Sequence, residues 1–198
     1  FWGFGRYMGA PLYQNPQGHL LGHVYDHGRT YGNIDVRGYE TNAYLPYHTD
    51  AGDVVGLLCL RRSLEGGLSS IVSSTTVHNE ILAQHPEYLG LLYNGYYYIR
   101  REAALTERGV SEHPIPVFGY QDGGVSCRYI RNQINAGAVK REIPLTTFER
   151  AALDFLDEQT RRPDLRLDMD LQAGDIQFIN NYPILHSPTG FVGRPEPA

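Results

Sequence analysis

The apolar residues of this chain arrive in short bursts: VVGLLCL (54–60), SSIVSS (69–74), YYYIRR (96–101), IPVFGY (115–120), VSCRYI (125–130), IQFINN (176–181) and PILHS (183–187). Glycine, proline, asparagine and aspartate punctuate them, and runs this short between turn-formers read as strands rather than helices. The 22 glycines, 12 prolines and 15 tyrosines among 198 residues point the same way, toward a turn-rich, mainly β architecture with flanking helices. VVGLLCL, continuously apolar, predicts a strand buried on both faces. Gln121-Asp122-Gly123-Gly124 predicts a hairpin between IPVFGY and VSCRYI, and LLGHVYDHG and DVRGYETN read as short strands and loops lying over a larger unit.

Helical signals are fewer. Ser74, Thr75 or Thr76 can cap a helix bearing Val77, Ile81 and Leu82, and Pro86 suits the first turn of another bearing Leu89, Leu92 and Tyr93. The clearest helix begins at Thr146-Thr147-Phe148-Glu149, which has capping-box spacing, and runs with Phe148, Ala152, Phe155 and Leu156 at helical period until Arg162-Pro163. Residues 1–198 are expected to form a single domain. The absence of an initiator methionine before FWGFGRYMG and the proline-rich end predict that N-terminal and C-terminal parts of a fuller protein are missing.

Composition narrows the function classes. The net charge of −5 comes without a clustered basic face, which argues against nucleic acid as a partner and for a small molecule. No apolar window reaches the roughly 18 residues a membrane span needs. The two cysteines, Cys59 and Cys127, are spaced neither as a disulfide framework nor as a zinc knuckle, and are read as buried or half-buried thiols in a reducing cytoplasm. A homo-oligomer is left open.

The chemistry-bearing residues begin with His48-Thr49-Asp50 at the mouth of the VVGLLCL run. Residues two apart on a strand face the same side, so an imidazole and a carboxylate can meet one ion there. A triplet of this kind also arises by chance. His186, within the apolar strand Pro183-Ile184-Leu185-His186, adds a third donor, and two histidines with one carboxylate make the facial set of non-haem Fe(II) oxygenases. The alternative at this level is a surface His48 and a hydrogen-bonded core His186.

The ordered blocks QGHLLGHV, RGYETNAYLPYHTDAGDVVGLLCL, EGGLSSIVSS, LDMDLQAGDIQFINN and ILHSPTGF, from about residue 17 to the end, resemble the taurine and 2,4-dichlorophenoxyacetate dioxygenase family. The resemblance implies Fe(II)/2-oxoglutarate-dependent oxygenase chemistry on a double-stranded β-helix, a cupin-like jelly roll. It makes His48, Asp50 and His186 iron ligands and gives Ser69, after the Gly66-Gly67 turn, a place on the 2-oxoglutarate carboxylate. It also implies a second carboxylate clamp, an arginine expected beyond Ala198, because Arg194 follows His186 too closely and reads as a loop arginine.

The implied reaction is oxidation of a C–H bond in a small, carboxylate-bearing molecule, by hydroxylation, desaturation or cyclisation, with 2-oxoglutarate and O2 as cosubstrates. Arg128 is the expected contact for the substrate carboxylate, on the opposite strand face from Arg131, while Asn42, Tyr44 and Asn181 are expected to line the pocket. The competing reading is a noncatalytic or zinc-binding β-helix protein that binds a small acid. Nucleophilic catalysis by Cys59 or Cys127 is disfavoured, because neither has a histidine near it in sequence.

Overall fold

A computed structural model of the chain describes residues 1–15, 17–26, 28, 41–100, 109–121 and 123–193. The strands pair antiparallel throughout. β1 (Val54–Leu58) pairs with β7 (Ile176–Asn180), and β3 (Ser69–Ser73) lies between β6 (Arg166–Met169) and β8 (Ile184–Pro188). β2 (Glu65–Gly66) pairs with β9 (Phe191–Val192), and β4 (Phe118–Gln121) forms a hairpin with β5 (Gly124–Cys127). Gly66 is required where β2 meets β9: its φ is +69°, and a Cβ there would sit 2.1 Å from the Gly190 carbonyl oxygen. That close approach delivers the chain into β3.

The helices are α1 (Trp2–Met8), α2 (Ser74–Gln84), α3 (Leu89–Asn94), α4 (Arg131–Lys140) and α5 (Thr147–Arg161), with a 3-10 turn at Pro86–Tyr88 before α3. Helix α2 starts one residue earlier than the sequence suggests, because Ser73 is the residue whose hydroxyl accepts from the Thr76 amide. Helix α5 begins at the expected capping box: the Thr146 hydroxyl accepts from Glu149 N at 3.1 Å, and the Glu149 carboxylate accepts from Thr146 N at 2.7 Å. It buries Ala152, Leu153 and Leu156 against α2 and α3. Leu153 and Leu156 join Val77, Ile81, Leu92, Phe118, Tyr129 and Ile134 in the main core. Each fully buried leucine there contributes about 1.5–3 kcal/mol by leaving water.

Several expectations give way to tertiary context. β1 is not buried on both faces: its residues are half-buried and Val54 is 43% exposed, because β7 is its one strand partner among the described residues. Within YYYIRR the described residues form isolated bridges, Tyr96 with Ile115 and Ile99 with Val110, because Ile99 N donates to Gln133 O of α4 instead of to a neighbouring strand. LLGHVYDHG carries no strand among its described residues, and the strand read through SCRYIR ends at Cys127, so Arg131 begins α4 rather than facing away from Arg128 on a sheet. Helix α4, whose apolar pattern is weak, and α1, which buries no residue and holds two glycines, had no clear periodic signal. DVRGYETN lies mostly outside the described residues. Among the described residues no helix is long and apolar enough to cross a membrane.

Candidate metal centre

His186 sits in the middle of β8, opposite Ile71 of β3. His48 pairs with it on the other edge: His48 N donates to His186 O and His186 N to His48 O, each at 3.0 Å. Directly opposed residues of an antiparallel pair point to the same side, and the two imidazole centroids stand 4.4 Å apart. Asp50, two residues after His48, shares that side. Its Oδ1 lies 3.9 Å from His48 Nε2 and its Oδ2 3.3 Å from His186 Nε2. One ligand atom from each residue falls within 4.8 Å of the others. Adjacent donors on an ion with bonds of about 2.1 Å stand roughly 3 Å apart, so small side-chain adjustments close the set on a metal.

The donor chemistry fits as well. His48 Nδ1 donates to the Pro46 carbonyl at 2.8 Å, which places a proton on Nδ1 and turns Nε2 toward Asp50, where the neutral ring offers a lone pair to an ion and the protonated ring offers a charge to the carboxylate. His186 is buried, with Nε2 toward Asp50 and Nδ1 enclosed without a hydrogen-bond partner among the described residues. Burial alone would raise the Asp50 pKa. The hydrogen bond from His186 and the positive charges of His48, His186 and Arg128 outweigh it and bring the group down to about 2. Asp50 is therefore an anionic oxygen donor across the physiological range.

Thr49, between His48 and Asp50, is 1% exposed and points the other way, its N–H donating to Tyr129 O at 2.9 Å and its hydroxyl accepting from Tyr129 N at 3.0 Å. A cavity of about 360 Å³ opens beside Asp50, lined among others by Arg128, Asn181, Ser126, Gly119 and Tyr182. Arg128 Nη1 donates to the Asp50 carbonyl at 2.5 Å. Asn181 is 4% exposed and spends its amide on the main chain of Asp50 and Gly52. Ser69 lies on the same face of the sheet as His186, and its hydroxyl donates to Gln177 Oε1 at 2.9 Å.

Asn42 and Tyr44 stand elsewhere. Asn42 is exposed, its carbonyl accepting from Phe191 N, and Tyr44 lines a small pocket with Tyr47, Ser70 and Ser187 on the opposite face of the β3–β8 pair. The alternation that would align them with His48 does not hold, because residues 42–46 form no strand and Pro46 interrupts them. Arg194 lies outside the described residues. Sequence reasoning missed Gln177, a polar residue inside an apolar strand, and Tyr129, whose grip on Thr49 has no local sequence signal.

The model of the taurine catabolism dioxygenase TauD, TfdA family matches residues 1–197. The chain belongs to this family. Among curated family relatives, FR-33289 synthase of Streptomyces rubellomurinus is 34% identical over 187 residues, covering 92% of this chain and 54% of that protein. The taurine hydroxylase-like protein SAT17 of Stachybotrys chartarum is 29% identical over 201 residues, covering 94% of this chain and 50% of that protein. The chain thus spans about half the length of the curated relatives it matches. Its fold is that of asparagine oxygenase solved with Fe(II), hydroxyasparagine and succinate (TM-score 0.63, 19% identity, 86% of this chain and 51% of that one). It is also that of the non-haem iron oxygenase OrfP solved with Fe, succinate and (3S)-hydroxy-L-Arg (TM-score 0.64, 17% identity, 93% and 57%).

Proposed function

We propose that His48, Asp50 and His186 hold iron(II), and that the whole protein is a 2-oxoglutarate-dependent dioxygenase oxidising a C–H bond of a small anionic molecule. The observation that carries this reading is the convergence of two imidazole Nε2 atoms and an ionised carboxylate from two separate stretches of chain. Membership of the dioxygenase family supports it, as does the iron and succinate bound in the structural neighbours. On this reading the antiparallel sheets belong to a double-stranded β-helix with the metal at one open end. Iron(II), with 2-oxoglutarate and O2, supplies the oxidising chemistry.

The chain's own residues bind and orient. His48, Asp50 and His186 occupy one face of the ion and leave the opposite face for small ligands. The Ser69 hydroxyl, on the same sheet face as His186, would leave Gln177 Oε1 to donate to a carboxylate of 2-oxoglutarate. Arg128 uses Nη1 on the Asp50 carbonyl and turns the rest of its guanidinium to the cavity, where it can hold a carboxylate or phosphate of the substrate. Hydroxylated amino acids bound to the neighbours, and a related uridine-5'-phosphate dioxygenase from Streptomyces 27% identical over 170 residues, support an anion-bearing small molecule. Separate free thiols at Cys59 and Cys127 accord with a reducing, cytoplasmic setting.

Anaerobic titration of the intact protein with Fe(II) and 2-oxoglutarate tests the reading. A visible charge-transfer band is expected, lost in His48→Ala and His186→Ala, and air should then release succinate. Absence of the band, with iron binding unchanged in both variants, would sink it.

A further inference from the structure

We infer that Asn181 is a positioning residue that sets the Asp50 ligand by gripping its main chain, an inference that rests on the metal reading above. The Asp50 side chain is 50% exposed, and its ion pairs run to His48 and His186, the two other ligands. Before a metal arrives, then, the placing of its carboxylate depends on where the backbone holds its Cα. Asn181 Oδ1 accepts from Asp50 N at 3.1 Å, while Nδ2 donates to Asp50 O and to Gly52 O, each at 2.7 Å. Three of the four hydrogen bonds that a primary amide can make are thus spent on one turn of chain.

The grip spans two elements. Asn181 follows β7 and stands five residues before His186, and its own N–H donates to Asp53 O at 2.9 Å. Asn181 therefore ties the loop carrying Asp50 to the segment leading into the third ligand. On the other flank Thr49 is locked to the Tyr129 main chain, so the peptide units around Asp50 are held from both sides. Ligand sites tolerate displacements of about 0.5 Å, and loss of an outer partner typically weakens metal binding about 10- to 100-fold.

The test uses Co(II) as the probe, with the intact protein, at a temperature where far-ultraviolet circular dichroism shows each metal-free variant folded. The unsubstituted protein should bind Co(II) and His186→Ala should not. Asn181→Ala should weaken the Kd about 10- to 100-fold and change the d–d band intensities, a change that a loss of fold stability alone would not produce. A Kd within about two-fold of the unsubstituted protein, with the same bands, overturns the inference. Should Asn181→Ala fail to fold, Asn181→Asp keeps the volume and the acceptor but removes both donations, and the same criteria apply. Should that variant also fail, hydrogen exchange of the Asp50 amide in the unsubstituted metal-free protein decides: protection supports the grip, and exchange at the open-chain rate refutes it. Failure of the unsubstituted protein to bind Co(II) counts against the metal reading, and the exchange measurement still reads the grip separately.

Discussion

Replacing Tyr129 by phenylalanine removes the phenol's hydrogen bond to Asp157 and its polar contact with Arg131 from the middle of the protein, and little else. The ring is fully buried and keeps its volume, so no cavity opens. The lost bond runs from the phenol to Asp157 Oδ1 at 2.7 Å, while Asp157 Oδ2 keeps Arg131 Nη1 at 3.0 Å. A hydrogen bond to a charged acceptor contributes about 1.5–3 kcal/mol, and the retained arginine places the cost near the lower end, at about 1.5–2 kcal/mol. The effect should depend on pH. Burial raises the Asp157 pKa above its ordinary value, against the lowering by the Tyr129 hydrogen bond and the Arg131 and Arg161 charges.

An acid raised in the folded state holds its proton longer there than in the unfolded chain. Its contribution to stability is therefore complete below the unfolded pKa of about 3.9 and is lost as pH rises through the folded value. Removing the phenol takes away a lowering influence, moves the folded pKa higher still and extends that loss upward. Urea unfolding of the intact protein and of Tyr129→Phe, followed by circular dichroism at about pH 7 and about pH 4, should give the larger difference at the higher pH. Equal differences at both pH values, or a cost below about 0.5 kcal/mol near neutrality, would refute the reasoning.

Other perturbations follow from the same packing. Gly137→Ala would place a Cβ 2.2 Å from the Tyr97 carbonyl oxygen, so α4 must shift, and thermal denaturation should show a loss of about 1–3 kcal/mol. Thr146→Ala removes the hydroxyl half of the α5 capping box and should cost about 1 kcal/mol by urea midpoint. A metal bound by the native triad stabilises by mass action, about 2.7 kcal/mol at a free concentration near 100 times its Kd. Chelator should accordingly lower the Tm of the metal-loaded protein and leave that of His186→Ala unchanged.

The parts of the fold readable in the sequence are those where a local rule acts without competition. The α5 capping box, the hairpin across Gly123 and the strands at β3, β7 and β8 all carry their own turn chemistry or apolar period. α4 carries neither, and forms because Ile134 and Gly137 find a surface to pack on. YYYIRR has strand-forming residues but gives the Ile99 amide to α4 instead of a neighbouring strand.

The site divides along the same line. His48, Asp50 and His186 were legible because strand alternation is local and because five blocks occur in a recognisable order. Alternation failed for Asn42 and Tyr44, since it holds only along a continuous strand, and residues 42–46 form none. The residue types and their order thus determined which side chains could ligate a metal. Whether two histidines 138 positions apart would face one another was decided by the antiparallel pairing of residue 48 with residue 186. The hydrogen-bond partners that flank the triad, Tyr129 for Thr49 and Asn181 for Asp50, were likewise decided by tertiary structure. Hydrogen bonds to the main chain of a distant segment leave no pattern in sequence, because every residue offers a C=O, and every residue but proline an N–H, whatever its side chain.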